Sequence, residues 1–136
     1  QRQMCIRDSL GGFLVLEGYD LRTPSVSSGG EIELLTLWRV RSPLAQEAVL
    51  FTHLLDGEGN VVGQMDRLDV PSWAWQPGDV FIQLHRFTIA PDVAPGQYVL
   101  EVGLYTREDL ARLPVLVDGA AVDNRVLLRP VEVVEP

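Results

Sequence analysis

From Glu31 to Val40 the chain opens on strict polar–apolar alternation: Ile32, Leu34, Trp38 and Val40 share one face, and Glu31, Glu33 and Arg39 fall on the other. A period of two predicts a strand with one face on a core. Ala48 to Leu55 is apolar on both faces apart from Thr52 and His53, the pattern of a central strand covered from both sides. Asp56-Gly57-Glu58-Gly59-Asn60 follows as a hairpin loop, because Gly and Asn tolerate positive φ. Val61 to Asp66 returns as its partner strand. Further strands are predicted at Phe13 to Leu21, Val80 to Ala90 and Gln97 to Thr106. Pro91 to Gly96 joins the last two tightly, and Tyr98 just beyond it has the setting of a tyrosine corner. Arg107 to Ala111 has room for one helical turn. Leu113 to Val117 and Arg125 to Val134 read as a closing pair around Asp118-Gly119, with Pro114 and Pro130 confining them to edges or bulges.

Seven or eight short strands with turn residues at regular spacing predict an all-β fold, an immunoglobulin-like antiparallel β-sandwich. It is expected as a single domain over residues 10–136. The Cys…Trp…Cys signature of antibody domains is absent, so the likeness is one of architecture. No internal repeat and no low-complexity tract interrupts the chain.

Composition narrows the classes. A chain of 136 residues with 46% hydrophobic and 22% charged residues can bury one real core. Its net charge of −8 gives nothing to neutralise phosphates, which argues against nucleic acid as a partner. No apolar run approaches the ~20 residues of a membrane helix. All 11 basic residues are Arg, whose planar fork suits bidentate contacts to carboxylates. Residues 1–9, Gln1 to Ser9, lack any β pattern and lack the charged start and apolar stretch of a signal peptide. They resemble the adapter-derived peptide found at the ends of proteins translated from metagenomic reads, and are expected to be a non-native or disordered leader. The one cysteine, Cys5, lies in that stretch and can form no intrachain disulfide.

An ordered string of motifs remains: Leu37-Trp38-Arg39, Phe51-Thr52-His53-Leu54-Leu55-Asp56, Gln64-Met65-Asp66, Trp75-Gln76-Pro77-Gly78, Ala94-Pro95-Gly96-Gln97-Tyr98, Val102-Gly103-Leu104-Tyr105 and Arg112-Leu113-Pro114. Together they resemble the C-terminal sandwich domain of bacterial membrane glycosyltransferases of the dolichyl-phosphate-mannose mannosyltransferase type. The resemblance spans about Leu10 to Val134. It implies an extracytoplasmic setting, with catalysis residing in a membrane portion outside this sequence. A bacterial proteinase-inhibitor domain shares the layout, as does the O-antigen-binding domain of polysaccharide-exporting transporters.

Candidate chemistry is sparse. There is no nucleophile elbow, no His-Glu-x-x-His and no phosphate loop. Asp56 to Asn60 starts like a calcium loop, but Val61 stands where Gly is required and Arg67 where Glu is required. No catalytic residue, cofactor or metal ligand set is therefore expected, and His53 and His85 read as hydrogen-bonded structural residues. Trp73 and Trp75 lie two apart in a loop flanked by Pro71 and Pro77, and in an extended segment they would point the same way. They read either as lids on the end of the sandwich or as a platform for a sugar ring or a partner side chain. Asp66 and Asp69 are the carboxylates expected beside them, and Tyr105 is a further candidate contact. Two functions follow as expectations. One is a non-catalytic accessory domain contacting neutral glycan or the parent's own membrane domain. The other is a protein-interaction module of the inhibitor type.

Overall fold

The alternating segments pair into two sheets in a computed structural model that describes residues 8–136. One sheet contains β1 (Asp8–Leu10), β2 (Leu14–Leu21), β4 (Glu31–Val40), β7 (Val80–Thr88), β9 (Val115–Val117) and β10 (Ala120–Asp123), in the order β10-β9-β1-β2-β4-β7. The other contains β3 (Ser25–Ser27), β5 (Ala48–Leu55), β6 (Val61–Asp66), β8 (Gly96–Thr106) and β11 (Val126–Val134), in the order β3-β11-β8-β5-β6. Pairing is antiparallel except for β3 with β11. The fold is a β-sandwich, with eleven strands among the described residues where seven or eight were expected. The additions, β1, β3 and β10, are three or four residues long, too short to show a period.

Two expectations are corrected. The segments around Asp118-Gly119 do not close on each other. β9 turns through Asp118 and Gly119, both at positive φ, to pair with β10, whereas β11 belongs to the other sheet beside β8. The leader boundary also moves. Asp8 and Ser9 belong to β1, paired with both β2 and β9, and Ser9 is buried. The rest of that leader, including Cys5, lies outside the described residues. Pro130 falls at a register shift in β11, as its missing N–H requires.

The core lies between the sheets. Ile32, Leu34, Trp38 and Val40 of β4 face Leu50 and Leu54 of β5 and Leu100, Val102 and Leu104 of β8 within it. A polar chain crosses that interior. The Trp38 indole N–H donates to Thr36 Oγ1 at 2.7 Å, Thr36 Oγ1 lies 2.7 Å from His85 Nε2, and His85 Nδ1 bonds Thr52 Oγ1. It ties β4 and β7 to β5 of the opposite sheet and satisfies polar groups that would be costly left unpaired. Burial lowers the His85 pKa to about 4, against a weaker upward pull from Asp69. At the far end of the sandwich Tyr98 Oη donates to Ala94 O at 2.5 Å, the tyrosine-corner bond. The Asp56 carboxylate accepts the N–H groups of Glu58 and Asn60 and so closes its hairpin.

Candidate functional site

The 67–79 loop carries the two tryptophans from β6 across to β7. Its middle is not extended: Ser72–Ala74 forms a single 3-10 turn after Pro71. That turn breaks the period of two, so Trp73 and Trp75 point to different places. Trp75 is 2% exposed, stacks on Phe81 at 6.2 Å and donates its indole N–H to Val70 O at 2.8 Å. Trp75 is thus a core residue, and its expected place in a ligand contact is corrected by its burial. Trp73 is 59% exposed.

The turn beneath Trp73 is pinned. Buried Ser72 accepts the Ala48 N–H at 3.1 Å and donates to Gln46 O at 2.7 Å, which sews the loop to the start of β5. An exposed aromatic on an anchored turn loses little freedom when it meets a ligand. Asp69, at the start of the same loop, is exposed. Its carboxylate accepts from Arg67 Nε at 2.6 Å and from Gln83 Nε2 at 3.1 Å. Met65, Arg67, Asp69, Leu84 and Arg86 line a groove of about 290 Å³ between β6 and β7.

Asp66 and Tyr105 come together elsewhere, on the outer face of the five-stranded sheet. Tyr105 pairs with Val49 on β5 and Asp66 with Phe51, so the tyrosine reaches over β5. Its Oη donates to Asp66 Oδ2 at 3.0 Å. Burial raises the Tyr105 pKa, and the Asp66 hydrogen bond and charge push it the same way. His53 stands between two carboxylates, with Nε2 3.3 Å from Asp66 Oδ1 and Nδ1 2.8 Å from Glu101 Oε2. Glu101 is 3% exposed and holds Arg112 Nη2 at 3.1 Å and Arg125 Nη1 at 3.0 Å. Burial pushes its carboxyl up, but the Arg125 and His53 hydrogen bonds and the Arg112 charge outweigh it and hold the pKa below the usual value.

The five residues expected to act together therefore divide. Asp66 and Tyr105 form one pair on the sheet face, Trp73 and Asp69 lie on the loop, and Trp75 belongs to the core. Phe51, Glu101, Arg112 and Arg125 were not anticipated at the site. One signal for them exists in the sequence: Glu101 interrupts the apolar run of β8, and a carboxylate buried there requires cationic partners. Among the described residues no group of three or more His, Cys, Asp or Glu side chains could hold a metal ion, and no helix is long and apolar enough to cross a membrane.

No family model and no curated protein matches the sequence. Solved structures do. The C-terminal domain of wzt superposes with a TM-score of 0.63 at 13% identity, covering 100% of this chain and 80% of that one. The CARDB domain of a Pyrococcus furiosus protein, in complex with di-metal ions, superposes with a TM-score of 0.50 at 12% identity, covering 94% of this chain and 100% of that one. At such identities the likeness is one of fold, and it places the chain among β-sandwich domains.

Proposed function

We propose that this chain is a non-catalytic accessory domain of a larger glycosyltransferase-like membrane protein, on the extracytoplasmic face of a bacterial membrane, and that it contacts neutral glycan through Trp73. The observation that carries this reading is the exposed Trp73 ring on a turn fixed by Ser72 and the buried Trp75. An indole face offers C–H contacts to a sugar ring. Asp69 and Arg67, at the start of the same loop, supply planar polar groups for hydroxyls. The acidic balance of the chain favours neutral over anionic glycan. Calorimetric titration with neutral oligosaccharides tests it. Saturable binding that Trp73→Ala removes supports the reading, and equal binding by the two proteins overturns it.

A second reading, a protein-interaction module, is favoured by a different surface. Gly18, Leu35, Leu37 and Ile82 line an apolar groove of about 140 Å³ on the outer face of the six-stranded sheet, and the Ile82 side chain is exposed. Such a strip suits a protein surface, including the parent's own membrane domain, better than a hydroxyl-rich sugar.

A further inference from the structure

Phe51 lies on the outer face of the five-stranded sheet, yet its side chain is fully buried. Gly103 is paired with it on β8 and leaves the space the ring fills. The His53 and Tyr105 rings flank it within 30° of parallel, with centroids 5.0 and 6.2 Å away. The Arg112 guanidinium closes the stack from outside, its carbon 4.1 Å from the ring centre. Arg112 Nη2 donates to Glu101 Oε2 at 3.1 Å and Nη1 to Asn124 Oδ1 at 3.4 Å. A planar cation on an aromatic face with acceptors around its rim is recognition geometry for a guanidinium, and a tetrahedral ammonium does not reproduce it.

Arg112 reaches this cage from a strap. Residues 107–113 leave β8, turn at Leu110 and fold back beside it. The Thr106 N–H donates to Ala111 O at 3.1 Å and the Leu113 N–H to Leu104 O at 2.8 Å, with a single bridge between Tyr105 and Arg112. Leu110 has φ 61, a left-handed conformation rare for leucine, and its side chain is exposed. The ion pair at the base of the strap, Arg107 with Glu47, is mostly solvent-exposed and adds little hold.

We propose that the Phe51–His53–Tyr105 cage with Glu101 is an arginine-recognition site, filled in cis by Arg112 and open to an arginine side chain of a basic partner when the strap lifts. The occupant follows from the group already seated there. Charge agrees, because the chain carries −8 and the Glu101 and Asp66 carboxylates border the cage. The site is separate from Trp73, so its success or failure leaves the glycan reading untouched.

The test uses N-acetyl-arginine amide as probe and N-acetyl-lysine amide as control, followed by the Phe51 and Tyr105 ring resonances and by the unfolding midpoint. Arg112→Ala empties the cage, and the arginine probe should then shift both rings and raise the midpoint. Wild type should show the same ring shifts at a concentration about tenfold or more higher, because the seated strap leaves only a fraction of molecules competent. The lysine probe should be weaker than the arginine probe in both proteins. No ring shift in Arg112→Ala, or an equal response to lysine, overturns the proposal. A response in Arg112→Ala with none in wild type overturns the partner role by showing that the strap never yields. Should Arg112→Ala fail to fold, Arg112→Gln is read in the same way.

Discussion

The Phe51 ring rests directly on the backbone of Gly103, with no room between them for a methyl group. The two residues face each other across β5 and β8, and a Cβ at 103 would overlap the ring carbons. Gly103→Ala should therefore destabilise the domain by about 2–3 kcal/mol through overpacking, seen as a lower urea midpoint. Adding Phe51→Leu should recover part of that loss. A Gly103→Ala protein as stable as its parent would show that the cage has slack that the geometry does not reveal.

Acid should weaken the fold through His85 before it does so through carboxylates. Burial keeps the folded histidine neutral down to about pH 4, whereas its usual pKa is 6.5. Between those values the unfolded chain takes up a proton that the folded chain refuses, so stability falls as pH drops, by roughly 3 kcal/mol over the window. Above pH 6.5 this contribution is constant. Glu101, held below the usual carboxylate value, gives up its share only at lower pH. Urea unfolding between pH 7 and pH 4.5 should show the slope, and His85→Gln should flatten it.

The three tryptophans should separate cleanly under substitution. Trp38→Ala removes a fully buried indole that also donates into the Thr36–His85 chain, and should cost about 3–5 kcal/mol. Trp75→Ala should fall in the same range, because it leaves Phe81 and the Val70 carbonyl without their partner. Trp73→Ala should stay within about 0.5 kcal/mol of wild type, as surface changes do. A large loss at Trp73 would mean that the ring supports the loop rather than facing solvent.

The long strands are legible in the sequence because their burial is periodic. β4 alternates over its whole length, and β5 is apolar on both faces because Leu50 and Leu54 join the core on one while Phe51 on the other is enclosed by His53, Tyr105 and Arg112. The short strands are not legible, since β3 pairs only with β11 and β1 takes one of its two partners from β9, both far along the chain. Half of the candidate site is readable in the same way. The loop follows from Pro71, Pro77 and the break in pattern. The separation of Trp73 from Trp75 does not, because a 3-10 turn replaces the extended spacing. Arg112 and Arg125 lie 11 and 24 residues beyond Glu101, and only the path of the strap and the start of β11 bring them to it.

Amide chemical-shift mapping of the labelled domain with a neutral oligosaccharide decides whether Trp73 binds glycan. Saturable shifts should centre on residues 69–79, including the Trp73 indole N–H, and should disappear in Trp73→Ala. Shifts centred on Leu35, Leu37 and Ile82, or none at millimolar sugar, would rule out glycan binding at Trp73.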